Sequence, residues 1–395
     1  MKSLSEKTTN KEYKFKRLYR NLYNPEFYFL AYKNISQSQG SITPGVDGKS
    51  LDGMSEKRIN AFIESLKDFS YQPNPARRVY IEKKNSTKKR PLGIPSTEDK
   101  LVQEVVKMIL ESIYEPNFSD YSHGFRPNRS CHSALQQIQN QFTGITWFVE
   151  GDIHACFDSF DHHVLVNILR ERIEDENFLA LIWKMLKAGY MEQWVYNCTF
   201  SGTPQGSGVS PMLANIYLSK LDEFAERLKK EFSKGKSKDN LEYSRAASKL
   251  YYIRRRNRAN WDSWNEQQRK EALRLQKDAI SYKHSLPSKR VNNEDYKGLK
   301  YCEFYHDGFK KKRYACSFEP DLLPQYVKYD NPNYLRTRIK LGVCELCGEN
   351  TGDICMHHVK SLKSIKADNE WNTIMLAKRR KTLAVCPNCY AMITK

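Results

Sequence analysis

Leu101, Val102, Val105, Met108, Ile109 and Ile113 recur at helical spacing, so LVQEVVKMILESIY is predicted to bury one face of a helix that Pro116 stops. Just upstream, from Arg77, the segment RRVYIEKKNSTKKRPLGIP places β-branched and aromatic residues on both sides of the polar run Lys83 to Arg90. That pattern predicts strand, basic turn, strand. Trp147 to Ile153, WFVEGDI, reads as a short strand ending near Asp152, and Asp161 is a predicted N-cap for HHVLVNILRERI. After the turn-rich SGTPQGSG, Ser210 and Pro211 suit the N-cap and first turn of a helix through PMLANIYLSKLDEF, which puts a glycine loop at a helix entrance.

Between these segments the pattern weakens. Residues 40–50, GSITPGVDGKS, form a predicted loop. From Lys229 to Lys300 basic and polar residues dominate and RRRNR at 254–258 concentrates charge. Two compatible readings follow: a solvated helical insertion, and a surface that neutralises phosphates and releases their counterions. The expected fold class is α/β in the α+β sense. Its parts are a basic N-terminal extension at 1–75, a strand-and-helix body at 76–228, the helical insertion at 229–300, a basic linker at 301–340 and a small unit at 341–395.

With 395 residues, two or three compact units are expected. Lys and Arg number 65 against 46 Asp and Glu, a net charge of +19 that favours a polyanionic partner, nucleic acid ahead of an anionic membrane. No stretch approaches the roughly 18 apolar residues of a membrane span, and the N-terminus has no apolar signal core. Glu6, Glu12 and Glu26 interrupt any resemblance to a transit peptide. The expectation is a soluble, unsecreted protein of a bacterial cytoplasm or an organellar matrix.

The charged residues suggest phosphoryl-transfer chemistry, in which carboxylates hold two divalent metals. In GDIHACFDSFDHH, Asp152 is the candidate carboxylate and Phe157 an aromatic able to stack on an incoming sugar. Lys83, Lys84 and Arg90 supply hairpin cations of the kind a triphosphate requires, and HGFRPNRS adds Arg126 and Arg129 beside turns. In TPQGSGVSP the glycines allow close backbone approach, with Gln205 as an amide contact.

Taken in order, RPLGIPSTEDKLVQEVVKMIL, SHGFRPNRSCHSAL, GDIHACFDSFDHH and GTPQGSGVSPMLANIYLSKLD resemble successive blocks of group II intron-encoded reverse transcriptases. The resemblance implies polymerase fingers and palm over roughly residues 20–300. It also implies a protein that binds its intron RNA, assists splicing as a maturase, copies RNA into DNA and engages target DNA. It assigns the first magnesium-binding, catalytic Asp to Asp152 and the nucleotide-selecting aromatic to Phe157. It assigns the PQG loop to Pro204, Gln205 and Gly206, and triphosphate-side cations to Lys83 and Arg90.

One block of that family is missing. A strand, a turn written YADD and a second apolar strand should follow, but after LKY at 299–301 comes CEFYHDGFKKKRY with the single Asp307. Either this is a degraded YADD, or an internal deletion joins Tyr301 to the segment ahead of the C-terminal module. The deletion also accounts for the absent room for the rest of the palm, the thumb and a DNA-binding domain. A two-metal site short of ligands loses several kcal/mol of transition-state stabilisation, and each ~1.4 kcal/mol is tenfold in rate. The expected palm sheet would have an unprotected edge, which predicts marginal stability.

Five of the ten cysteines fall between Cys344 and Cys389, in a chain without a signal peptide. The two CxxC pairs, Cys344 with Cys347 and Cys386 with Cys389, have the spacing of a structural zinc site, while Cys355 is assigned to core packing. CELC, then ICMHHVK, then AKRRKTLAVCPNC resembles the ββα HNH endonuclease module of group II intron proteins. The resemblance makes His357 the divalent-metal ligand and His358 the general base. It departs at Tyr390, where a metal-site histidine is expected. The alternative is a zinc-folded DNA-binding patch using Lys360, Lys363, Arg379 and Arg380.

Overall fold

The computed structural model describes residues 2–38, 40–82, 89–142, 150–153, 155–203, 206–232, 237–286, 290–292 and 334–394. The chain divides into two compact units: Met1–Leu135 with Asp152–Asp222 and Glu319–Lys395, and Gln136–Gly151 with Glu223–Phe318. Both are mixtures of helix and strand. No helix among the described residues is long and apolar enough to cross a membrane.

The first unit is built around the helix Thr97–Tyr114. All six apolar positions that predicted it are fully or almost fully buried, each contributing about 1.5–3 kcal/mol by leaving water. Pro116 lies in the 3-10 turn Glu115–Asn117 that ends it. Four polar positions, Thr97, Asp99, Gln103 and Glu104, are buried too, and Asp99 accepts the Tyr71 hydroxyl at 2.5 Å and the Asn74 N–H at 3.0 Å. The helix Pro25–Ser36 packs alongside, capped by the Asn24 side chain, and buries Tyr28, Phe29, Ala31 and Tyr32. Asp161 caps the helix His162–Arg170 through the Val164 N–H at 3.0 Å, as its position predicted. The helix Ser210–Phe232 starts directly after the glycine loop.

Two sheets belong to this unit. Strand β1 is Met54–Ser55. The predicted hairpin is β2 (Ala76–Glu82) against β3 (Lys89–Ile94), antiparallel with Arg77 opposite Ile94; its turn, 83–88, lies outside the described residues. A second hairpin, β4 (Tyr190–Glu192) and β5 (Val195–Asn197), extends it to a four-stranded sheet of order β3-β2-β4-β5. The strand expected at 147–153 is not among its members: 147–149 lie outside the described residues, and Glu150–Ile153 are irregular and exposed. A strand needs a neighbour to take its N–H and C=O groups. None of the described strands runs beside this segment.

The second unit contains β6 (Ser237–Asp239) paired with β7 (Arg290–Asn292). It also contains the helices Leu241–Asn260 and Glu266–Ser285, which pack together. Asn240 and Asn265 cap these helices, the latter in a reciprocal box with Gln268. The interface is thin: among the described apolar residues of this pair Ala246, Leu250 and Ala272 are buried, and Asn257 turns inward to bond the Ala272 carbonyl at 3.2 Å and Gln276 Oε1 at 3.0 Å. Arg254, Arg255, Arg256 and Arg258 stay in water. The helical reading of this insertion is therefore met, on a face that leaves its charge exposed.

The C-terminal segment returns to the first unit. Strand β8 (Cys355–His358) pairs with β9 (Thr382–Val385), and the helix Pro387–Ile393 completes a ββα unit. The other edge of β8 pairs with β1, giving a three-stranded sheet of order β1-β8-β9. One apolar cluster runs from Phe15, Tyr28 and Met54 through Leu101 and Leu165 to Met356, Val385 and Cys386.

Candidate nucleic-acid and metal sites

The four sequence blocks converge in the first unit. The 156–160 block is clipped to the loop before PQG, because the Phe157 carbonyl accepts the Thr203 N–H and the Phe160 carbonyl the Gly202 N–H, both at 2.7 Å. A Cβ at Gly202 would meet the Phe157 carbonyl oxygen at 2.5 Å, and φ there is +75°, so the clip requires glycine. On the other side of the loop, Gly206 presses on β3: a Cβ there would lie 2.3 Å from the Gly93 oxygen. The Asn215 amide donates to the Gly124 carbonyl at 2.8 Å, and the Phe125 and Phe157 rings meet edge to face at 6.2 Å. A cavity of about 350 Å³ opens among these blocks, lined by Arg78, Gly93, Asp158, Tyr190, Phe200 and Thr203 among others.

The predicted residues fare differently within this arrangement. Phe157 is half-buried beside the cavity-lining loop, whereas Asp152 stands on the exposed irregular segment and not at a strand end. Arg90 is exposed on β3. Lys83, Lys84, Pro204, Gln205 and Asp307 lie outside the described residues. Arg126 faces inward: Nε and Nη2 fork onto Glu115, Nη1 donates to the Ser119 and Ser122 carbonyls at 2.6 and 2.8 Å, and the residue is 6% exposed. With its donors occupied, it staples the loop after the long helix and has none free for a phosphate. Arg129, beside it, pairs with Asp120 at 3.0 Å.

In the C-terminal unit the sulfur atoms of Cys344, Cys347, Cys386 and Cys389 all lie within 4.8 Å of one another, with Cys347 and Cys386 at 3.9 Å. A tetrahedral ion with bonds of about 2.3 Å to sulfur requires S···S separations near 3.8 Å. The cluster therefore fits a structural metal. The Cys347 and Cys389 N–H groups point at the first sulfur of each pair at 3.5 Å. Burial pushes the Cys344 thiol up, but the N–H groups of Cys347, Cys386 and Leu346 pull it down to about 7, favouring the ligating thiolate. Glu345, between the first pair, is held by the Arg338 fork and the Ala384 N–H. Cys355 is separate and buried, its thiol directed at the Val385 carbonyl.

The two histidines end β8. The His358 N–H donates to Asp52 Oδ1 at 2.8 Å, and its ring Nε2 is hydrogen-bonded to the buried Tyr32 hydroxyl. Burial lowers the His358 imidazole to about 4, so it is neutral at pH 7. His357 Nδ1 faces the same Asp52 oxygen at 3.3 Å, and the His357 and Tyr390 rings lie edge to face at 6.5 Å. Lys360, Lys363, Arg379 and Arg380 are all exposed.

Residues 81–238 match the family model described as reverse transcriptase (RNA-dependent DNA polymerase), and residues 344–390 match AI2M/AI1M-like, HNH endonuclease. The chain thus carries a reverse-transcriptase-type domain and an HNH-type domain, and it is similar to group II intron-encoded proteins. Over 220 residues it is 54% identical to "Group II intron-encoded protein LtrA" of Lactococcus lactis subsp. cremoris, covering 56% of this chain and 37% of the relative. It is 50% identical over 218 residues to "Uncharacterized 91 kDa protein in cob intron" of Schizosaccharomyces pombe, covering 54% and 27%. It is also 38% identical over 244 residues to "Protein YkfC" of Escherichia coli, covering 60% and 63%. Its match thus spans little more than a third of the first of these relatives. The solved "Partial Cas6-RT-Cas1--Cas2 complex" covers 62% of this chain and 42% of that one, at 20% identity and a TM-score of 0.36.

Several site-lining residues escape the sequence. Arg78, whose guanidinium lies 3.4 Å from the Tyr190 ring centroid, and Asp158 line the central cavity but belong to no recognised spacing. Asp52 lies just past the loop predicted at 40–50, and Tyr32 on a core helix face. The DG turn at Asp52 signals only a reversal of the chain.

Proposed function

We propose that this chain binds group II intron RNA in the manner of a maturase, engages target DNA, and does not support reverse transcription by itself. The observation that carries this reading is the setting of Asp152. It stands on exposed, irregular chain, and among the described residues the only grouping of three or more metal-ligating side chains is the cysteine tetrad. Two-metal phosphoryl transfer needs several carboxylates at one place. The sequence offers Asp152 without YADD, consistent with an internal deletion between Tyr301 and the C-terminal module. Nucleic-acid binding needs less: the net charge of +19, the converged loops and the exposed arginines of the insertion supply it.

We assign 1–75 to a basic N-terminal extension and the start of the fingers, 76–228 to fingers and palm, 229–300 to the basic helical insertion, 301–340 to a basic linker and 341–395 to the HNH-like unit. The metal of the tetrad is taken to be zinc, since four thiolates without an open position suit a closed structural site. Magnesium is the ion Asp152 would hold, and a divalent ion the one His357 would hold. The bacterial cytoplasm or an organellar matrix is the proposed location.

Primer extension on an RNA template with magnesium, beside salt-titrated RNA binding, tests the proposal. Salt-sensitive RNA binding without extension is expected. DNA synthesis that disappears in Asp152→Ala would overturn it. A second reading, DNA nicking by the HNH-like unit, is favoured by the adjacent His357 and His358 and is measured on supercoiled DNA with magnesium or manganese.

A further inference from the structure

The HNH-type histidines face this chain's own N-terminal segment. Strand β1 lies along the free edge of β8, with Met54 opposite Met356 and Ser55 opposite Cys355, and both methionines are fully buried. The Gly53 N–H donates to the Met356 carbonyl at 3.0 Å. A Cβ at Gly53 would strike the Tyr390 hydroxyl at 2.9 Å, with φ at +70°. Beside this strand contact, Glu26 receives Arg336 and Lys340, the latter at 3.1 Å. The result leaves His358 only 6% exposed, with its ring nitrogen on Tyr32 and its N–H on Asp52, while His357 Nδ1 is buried against Asp52.

We infer that Asp52–Ser55 and Tyr32 form an intramolecular clasp that holds the general-base-type His358 of the HNH pair shut against DNA. A general base must reach the water it activates, and a metal-ligating histidine must present a free nitrogen to the ion. In the clasped chain Tyr32 occupies His358 Nε2 and Asp52 faces His357 Nδ1, so one ring nitrogen of each histidine is turned to protein. Tyr390, at the position where the resemblance expects a histidine, stands against Gly53 at the edge of the clasp. The module's basic rim, including Lys360 and Arg379, remains exposed, so DNA can still be held while His358 is closed. The inference deepens the HNH reading of the C-terminal unit and relies on it for the meaning of the histidines, but not for the contact itself.

The test uses the full chain with its tetrad metal-loaded. Diethyl pyrocarbonate labels accessible neutral imidazoles, and mass spectrometry locates the labels. His358 is expected to react at least about tenfold more slowly than exposed His284, and to gain about tenfold in Tyr32→Phe/Asp52→Ala, as release of a local closed state would give. Metal content retained in that variant separates release from unfolding. Equal labelling of His358 and His284 in the unaltered chain would overturn the clasp. Independently of any loosened variant, Ser55→Cys is expected to join the native Cys355 across the strand pair on mild oxidation. A metal-loaded Ser55→Cys chain that forms no such link also overturns it. Nicking assayed in the released variant speaks to the nuclease reading alone: labelling without nicking supports the clasp and removes the nuclease.

Discussion

The backbone N–H of His358 donates to the carboxylate of Asp52 at 2.8 Å, across 306 positions of sequence. That carboxylate also faces His357 Nδ1 at 3.3 Å, and burial, which pushes it up, is outweighed by its interactions with His357, His358 and Tyr390, so its pKa lies below the ordinary value. Removing it leaves a buried N–H without an acceptor. Asp52→Ala is expected to destabilise the first unit by about 1–3 kcal/mol, and Asp52→Asn by less, because the amide oxygen still accepts from His358. Urea unfolding followed by fluorescence checks the order of the two variants.

Metal withdrawal should have a larger effect. Cys344 and Cys386 are each 1% exposed inside the same apolar cluster as the N-terminal helices, so the tetrad is part of a core as well as a ligand set. Structural zinc in small modules contributes about 10–16 kcal/mol of apparent binding energy, comparable with a domain's whole stability. Strong chelation, or Cys344→Ser, is expected to abolish amide protection in β8 and β9. Hydrogen exchange read by mass spectrometry measures this, with the Thr97–Tyr114 helix as internal comparison.

Arg126 should behave as a staple and not as a phosphate contact. Breaking its buried pair with Glu115 is expected to cost about 3–5 kcal/mol, and Arg126→Lys to rescue little, since a lysine cannot reproduce the fork onto Glu115 with the Ser119 and Ser122 carbonyls. At a temperature where the variant remains folded, the slope of RNA affinity against salt should stay unchanged. A slope reduced by about one unit would instead mark a direct phosphate contact.

Asp99 makes stability depend on pH in the direction opposite to an ordinary ion-paired carboxylate. Burial raises its folded pKa from 3.8 to about 6, despite the hydrogen bonds from Tyr71 and Asn74. The native state therefore holds a proton that the unfolded chain releases. The stabilisation this group contributes is fully present below about pH 4 and is lost as pH rises through about 6, an effect on the order of 2–3 kcal/mol. Comparing urea midpoints at pH 5 and pH 7 in the unaltered chain and Asp99→Asn isolates it. The pH dependence should shrink in the variant.

Much of this molecule was legible from short-range pattern. The spacing of Leu101, Val105 and Met108 predicted the central helix, Asp161 its neighbour's cap, and the alternation around Lys83 to Arg90 the hairpin. The paired CxxC motifs predicted a tetrad whose sulfurs do meet. Helical periodicity, capping and chelate spacing are set by a few adjacent residues, so one stretch of sequence carries each of them. The strand expected at Asp152 failed within its described part because a strand depends on a neighbour that its own sequence does not contain.

What Arg126, Gly206 and His358 do was decided by tertiary structure. An arginine beside turns can bind phosphate or staple a loop, and only the position of Glu115 and two carbonyls selects the second. Gly206 is one glycine of a loop until β3 comes within contact of its missing side chain. The histidine pair has one character in the isolated ββα unit and another once Asp52 and Tyr32 close over it. The sequence by itself determined the local elements and the metal-binding cysteines. The fate of the polar side chains depended on partners that local pattern does not reveal, from a few positions away for Arg126 to 306 for His358, because their free energy is set by what replaces water around them, and only the folded chain supplies that.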